Sequence, residues 1–402
     1  MEESGSIPAL IVGEIGLVRS IGEAGIPLYV GSYYADNVSL YSRYCRKRLH
    51  FPHTTSEAFA EEMIRFGKKE GRKMVFFSDD DRAVLTFSRY RDELSPYFYY
   101  NLPDHAVVEN VLDKRRFGSV ARSVGIPVPL TFNPESMEDL QQVAREIAYP
   151  CIVKPASKDD WWHPDFLRLV GPYRKAIQCD TKEELVRTYE KVVQVNPKVV
   201  VQEYIAGDDS NLFSVNMYFS PKREMLAYFI GHKLRIYPVH AGVASLVETI
   251  DDAGMRDLAL DAARKLDIQG HFNIQFKRDA NSGVLKVMEI HTRNSLWCYL
   301  ATGAGLNISA IAYYDMIGKP YPFRRDYKTG VKWLDIAKDI KGIKDYRKNG
   351  ELTYPMWLRS LRGKRVHHIL SFRDPVPPLA DLWFILKRRF EHRVDEGAAP
   401  PH

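Results

Sequence analysis

The sequence predicts a mixed α/β protein of more than one compact unit, and three observations carry that reading. Its 402 residues exceed an ordinary single domain. Its N-terminal part alternates short apolar runs with helical stretches, the pattern of a Rossmann-like unit. Farther on, residues 271–294 (HFNIQFKRDANSGVLKVMEIHTRN) read as two strands joined by a turn at Asn281-Ser282-Gly283, an antiparallel feature.

The elements follow in order. IPALIVG, residues 7–13, is an apolar run ending in glycine, as a buried parallel strand does. GLVRSIGEAG is helical, IPLYVGS is a second strand, and RKMVFFSDDD contains a third. Glycines at 13, 16 and 22 miss the G-x-G-x-x-G spacing, so no dinucleotide site follows, and Gly13 and Gly16 fit a tight strand-to-helix turn. Ser78-Asp79-Asp80-Asp81 comes directly after the third strand, at the strand end that faces ligands in open α/β sheets. The same acids also fit the cap of a helix beginning at Arg82. DKRRFGSVARSVGIPVPLT, residues 113–131, is a helix up to Gly125 and then an extended chain forced by IPVP. MEDLQQVAREIA is a helix, and YPCIVKP is a short buried strand that delivers Lys154. Residues 156–174 are an irregular insertion with Trp161, Trp162 and His163. KAIQC (strand), KEELVRTYEKVVQ (helix) and KVVVQEYIAG (strand) follow. NLFSVNMYFS and EMLAYFIGHKLRIYP read as antiparallel strands, and the helix AGMRDLALDAARKLD precedes the hairpin. TGAGLNISAIAYYDMIG is a turn and a helix ahead of a basic C-terminal portion.

Composition narrows the function classes. The hydrophobic fraction of 45% is ordinary for a soluble globular protein, and no apolar run approaches the ~18 residues of a membrane span. The acidic, polar N-terminus is unlike a secretory signal. Cys45, Cys151, Cys179 and Cys298 lack metal-like spacing and fit reduced thiols in a cytoplasmic protein. The net charge of +6 is uneven: residues 319–402 carry 19 Lys+Arg against 10 Asp+Glu. A basic tail suits an acidic partner such as an anionic substrate, a membrane surface or nucleic acid, or is simply a solvated surface. Residues 379–393, LADLWFILKRRFEHR, form a basic amphipathic helix that fits packing on its own core, a second subunit in a homodimer, or peripheral contact with an anionic membrane. No module pairs stacking aromatics with basic residues, so nucleic acid is not an expected partner.

The chemistry concentrates in the hairpin. Gln275 ends its first strand, and Glu289, His291 and Arg293 alternate along the second, which sends the three to one face. A carboxylate, an imidazole and a guanidinium make a poor core and a good holder for a divalent cation and phosphates. Lys154 lies within an apolar strand, where an unpartnered ammonium is costly.

In their order, DK at 113–114, YPCIVKP around Lys154, VVVQEYIAGDD at 199–209, the Gln275–Glu289–Arg293 hairpin and GAGLNI at 303–308 resemble the ATP-grasp superfamily of carboxylate–amine ligases, closest to its D-aspartate-ligase-like and predicted carboligase members. The resemblance covers about residues 5–318. It implies an ATP-grasp fold: a Rossmann-like domain at 1–110, a central and lid subdomain at 111–205, a second ATP-grasp subdomain at 206–320, and a basic extension at 321–402. It implies ATP and Mg²⁺ as cofactors, with Lys114 and Lys154 on the α- and β-phosphates, the Tyr204–Ile205 backbone on adenine, and Glu203 with Asp208 on the ribose. It implies a metal site at Gln275, Glu289 and His291, Arg293 on the transferring phosphoryl, and Lys233 and Arg235 on the phosphate or substrate side. Arg19, Ser78–Asp81 and Gly242–Ser245 are the candidate substrate holders. Two departures stand out. His291 occupies the position where the family usually has Asn, which leaves open Mn²⁺, a role on water or phosphate, or substitution by Asn294. The lid, residues 156–170, has no glycine. The implied reaction joins a small or carrier-linked carboxylate to an amine, such as an amino acid, through an acyl phosphate; the alternative is a catalytically weak, regulatory nucleotide-binding module.

Overall fold

A computed structural model describes residues 6–156, 176–196, 198–240, 242–322 and 324–397, with the side chains of the last helix described through Arg388. The segment holding Trp161, Trp162 and His163, and with it the expected lid, lies outside the described residues. The chain folds as two compact units, each assembled from separated stretches. The first takes residues up to 101, then 293–327, then the chain from 366; the second takes 102–292 and 328–365.

In the first unit a parallel sheet runs in the order β3-β2-β1-β4-β5, with β1 Ala9–Val12, β2 Leu28–Ser32, β3 Cys45–His50, β4 Met74–Ser78 and β5 Phe98–Tyr99. Every residue of β1 and β4 is buried, which is why these strands read as continuous apolar runs. The sequence reading found β1, β2 and β4. It missed β3, CRKRLH, because an edge strand that exposes Arg46, Arg48 and His50 on alternate positions carries no apolar run. Helix Ile15–Glu23 buries its apolar stripe, Ile15, Leu17, Val18 and Ile21.

The second unit holds two sheets. A small antiparallel one has the order β6-β9-β7-β8, with β6 Thr131–Phe132, β7 Cys151–Pro155, β8 Ile177–Cys179 and β9 Val199–Glu203. Helices Met137–Glu146 and Lys182–Val193 supply Leu140, Val143, Leu185 and Val192 to its core. The larger sheet contains, in spatial order, β14-β13-β10-β11-β12-β15, all antiparallel: β10 Leu212–Phe219, β11 Met225–Tyr237, β12 Val243–Ile250, β13 Gly270–Arg278, β14 Leu285–His291 and β15 Lys332–Leu334. Strand β13 continues three residues past Gln275, where the sequence reading had stopped it.

Period-two alternation splits this sheet into two chemically different faces. Val215, Met217, Ile274, Phe276, Val287 and Ile290 pack with Phe117, Met255, Ala259 and Ala262 into one core. The opposite face carries Ser214 and Asn216 on β10, Asn273, Gln275 and Lys277 on β13, and Glu289 and His291 on β14. Cross-strand register sets these in rows: Ser214 beside Gln275 beside Glu289, and Asn216 beside Asn273 beside His291.

The sequence reading set 321–402 apart as an extension. Its residues are instead divided between the units, because buried charges hold each part. Asp339, on helix Ile336–Lys348, receives the Arg235 guanidinium in the second unit, and Asp374 receives Arg19 in the first.

Candidate functional site

The polar face of the larger sheet and the end of the small one build the site within the second unit. Lys154 is on β7, where strand alternation buries Cys151 and Val153 and turns Lys154 to the other side. Its Nζ donates to Gln202 Oε1 at 2.7 Å. Burial, and then the ammonium of Lys114, push Lys154 down to about 8, while Glu289 pulls the other way. Lys277 adds to the downward push. Three lysines from three elements and the Glu289 carboxyl are thus in electrostatic reach of one another. Burial also lowers Lys277, against the pull of Asp209, Asp208 and Asp279. Its Nζ lies 5.3 Å from the Tyr204 ring. Cations crowded at a partly desolvated place call for a polyanion.

Strand β9 ends at Glu203, and the chain turns away through Tyr204 and Ile205. Ala206 N–H donates to Asp279 Oδ2 at 3.0 Å, and Ala206 carbonyl accepts from Ala280 N–H. Between these anchors, no hydrogen bond among the described residues reaches the peptide groups of Tyr204 or Ile205. Two adjacent peptide groups of this kind present donor and acceptor to a planar heterocycle edge.

Glu289 faces Gln275 across the β13–β14 ladder, and a bulge follows at Phe276–Val287. His291 Nε2 lies 3.4 Å from Glu289 Oε1. Lys233 donates to Gln275 Oε1 in a short bond. Ser214 Oγ is buried with no hydrogen-bond partner among the described residues, beside Gln275 in register. One carboxylate surrounded by the amides Gln275, Asn273 and Asn216 is a hard-oxygen set, which fits a divalent cation shared with phosphate and water rather than an all-protein cage. No group of three or more His, Cys, Asp and Glu that could hold a metal ion occurs among the described residues.

Several expected residues have other work. Arg235 is buried and pairs bidentately with Asp339, Nε to Oδ1 and Nη2 to Oδ2 both at 2.8 Å, while Nη1 donates to Ser360 Oγ. Ser245 and the Trp357 indole also donate to Asp339. This network saturates Arg235, so its catalytic reading and the substrate reading of Ser245 are corrected to a structural role. Glu203 accepts from Leu130 N–H at 2.8 Å with one oxygen and pairs with Lys286 at 2.5 Å with the other, and so fixes the hinge rather than presenting a free acid. Asp208 caps the short turn Asp209–Asn211 through Ser210 N–H. Those pairings revise the ribose assignment of both acids.

Arg293 is not on β14, which ends at His291. It belongs to the first unit and pairs bidentately with Asp81, at 2.7 and 2.9 Å. Asn294 is in the same unit, bonded to Ser309, so it is no substitute on the strand that carries Glu289. Of the neighbouring acids, Asp80 is the N-cap of helix Asp81–Arg89, as the capping alternative had it. Asp79 is half-buried and accepts from Glu14 N–H; desolvation first, and then Glu14, push it up to about 8. A Cβ at Gly13 would meet Asp79 Oδ1 at 2.5 Å, so the glycine permits this approach. Arg19 is fully buried on Asp374 and the carbonyls of His368 and Ile369, a structural anchor and not a substrate holder. Sequence reasoning missed Lys277, Asn273, Asn216 and Ser214. The available signal was their period-two alternation with Gln275 and Glu289 on neighbouring strands.

Comparison with known proteins agrees with this architecture. No protein-family model matches the chain. The D-aspartate ligase of Enterococcus faecium is 25% identical over 362 residues, covering 85% of each chain. Among solved structures, N5-carboxyaminoimidazole synthetase from Staphylococcus aureus, complexed with ADP, superposes with a TM-score of 0.62 at 14% identity, over 80% of each chain. The L-amino acid ligase of Bacillus licheniformis superposes with a TM-score of 0.58 at 16% identity, over 78% of this chain and 74% of that one. With the lysine-lined polar sheet face and the small antiparallel sheet beside it, these likenesses show that the chain has the ATP-grasp fold, and in sequence it is similar to a D-aspartate ligase.

Proposed function

We propose that this protein is an ATP-dependent carboxylate–amine ligase. A substrate carboxylate oxygen attacks the γ-phosphorus of ATP, and the bond to the β,γ-bridging oxygen breaks to release ADP. The acyl phosphate is then attacked by an amine; the C–N bond forms, the amine loses its proton, and phosphate leaves. The observation that carries this reading is the convergence of Lys114, Lys154 and Lys277 on the neighbourhood of Glu289, an arrangement whose excess positive charge a triphosphate neutralises.

In this reading Lys154 and Lys114 bind the phosphates, and the Tyr204 and Ile205 peptide groups bind the adenine edge. Glu289 and Gln275, with His291 at their side, would hold Mg²⁺, which would supply positive charge to the phosphates. Lys233 orients Gln275. Arg293, expected on the transferring phosphoryl, belongs to the first unit, where its guanidinium pairs with Asp81. The two named ligases among the similar proteins favour an amino acid as one reactant. The decisive assay follows ADP release with candidate acids and amines supplied singly and together. Turnover that needs both supports the ligase, with loss of about 10²-fold or more in Glu289→Gln. Nucleotide binding without turnover across a broad panel supports the regulatory module instead.

A further inference from the structure

The C-terminal helix, Val376–Gly397, is attached to the first unit by one side only. Pro377 and Ala380 are buried, and the Phe384 ring meets Tyr41 edge-on at 5.5 Å. On the other side Leu379, Leu382, Trp383 and Leu386 follow at i, i+3, i+4 and i+7, and all four are exposed, Trp383 by 64%. Leu370 is half exposed and Phe372 wholly so in the segment just before the helix. That segment is no loose tail. Asp374 accepts from Arg19 Nε, Ser42 Oγ and Arg43 N–H, and Arg19 also holds the His368 and Ile369 carbonyls. The fold therefore spends buried, charge-assisted bonds on fixing a stretch that displays large apolar side chains to solvent.

Cations lie beside the attached side of this helix and along its C-terminal part. The Arg48 guanidinium lies 4.6 Å over the same Tyr41 ring that Phe384 packs on. Arg46 and Arg48 are both exposed on the edge strand β3. Arg373 is exposed and its carbonyl is held by Arg43, while Lys387 and Arg388 close the helix face, Arg388 paired with Asp36 at 3.2 Å. An apolar helical stripe with an aromatic belt residue and a basic margin is the form that lies in the headgroup region of an anionic bilayer. A second copy of the chain suits it less, because a two-fold contact over this face brings the same arginines against one another. We propose that helix 376–397, the Leu370–Phe372 segment and the arginines of β3 form a docking surface for an anionic lipid membrane.

The test uses the full chain and sedimentation with vesicles of phosphatidylcholine alone or mixed with phosphatidylglycerol. Binding at least about tenfold stronger to the mixed vesicles, weakened by salt, is expected. The variant Leu382→Asp/Trp383→Asp changes exposed positions, so its thermal midpoint should hold while vesicle binding falls about tenfold or more. Should that variant lose its thermal transition, Arg46→Glu/Arg48→Glu and the blue shift in the wild type's tryptophan emission, absent in Trp383→Phe, decide the matter. Equal partition to both vesicle types, undiminished binding by the charged variants, or self-association that the first variant abolishes without any vesicle binding overturns the proposal.

Discussion

Lys154 shows what a single half-buried ammonium contributes. Burial and Lys114 hold it at about 8, below the 10.5 of a free lysine. The unfolded chain keeps its proton between those values while the folded protein has lost it. The unfolded state therefore binds more protons there, and the stability of the nucleotide-free protein rises with pH from about 8 to 10.5 on account of this group. Below that window both states are charged and the contribution is constant. A polyphosphate reverses the balance, because it favours the charged form. ADP affinity is expected to fall by up to about tenfold per pH unit above roughly pH 8, with proton uptake on binding seen calorimetrically in buffers of different ionisation heat. Lys154→Met should remove both the uptake and the alkaline rise in stability. A pH-independent affinity in the wild type would count against Lys154 as a phosphate ligand. Lys154 and Glu289 were legible in sequence because a charge inside an apolar or alternating run has no ordinary place. Glu203 and Arg235 were misread because the groups that satisfy them, Leu130, Lys286 and Asp339, are tens of residues away and carry no local signature.

At the scale of the element, β13 is one strand with two unrelated tasks. Ile274 and Phe276 are fully buried in the core, while Asn273, Gln275 and Lys277 belong to the opposite face. Substitutions on the two faces should therefore separate folding from binding. Phe276→Ala leaves a cavity and is expected to cost about 3–5 kcal/mol in denaturant unfolding. Lys277→Met keeps the stem that packs near Tyr204 and removes only the charge. It should leave the unfolding midpoint within about 0.5 kcal/mol and weaken ADP binding about tenfold. Equal ADP affinity in wild type and Lys277→Met would remove Lys277 from the site. The sequence revealed β13 and β14 by the contrast between their faces, and β1 and β4 by continuous apolar runs buried on both sides. It hid β3, whose edge position leaves nothing apolar to bury, and β15, three residues whose pairing with β12 is decided by chain more than eighty residues away.

At the scale of the whole chain, the C-terminal fifth is no appendage, and this leads to a prediction about truncation. Residues 328–365 contribute β15 and Asp339 to the second unit, and the stretch from 366 contributes Asp374 to the first. Ending the chain at 320, the expected end of the second ATP-grasp subdomain, leaves Arg235 and Arg19 in buried positions without their carboxylates. Removing one partner of a buried pair costs about 3–5 kcal/mol. Each unit would lose that, together with the apolar surface of the missing elements, against a net stability of about 5–15 kcal/mol for a typical domain. The 1–320 chain is expected to be expressed without a cooperative thermal transition. Ending the chain at 375 is different in kind. Asp374 and Asp339 remain, and the helix removed is held chiefly by Pro377, Ala380 and Phe384 against the turn at Tyr41. The 1–375 chain should unfold cooperatively, at a somewhat lower midpoint, and bind ADP as the full chain does. Circular dichroism melts of the two truncations decide the point: a cooperative 1–320 chain would show that the buried arginines tolerate solvent or find new partners, and the carboxylates at 339 and 374 would lose their place as anchors within the second and the first unit.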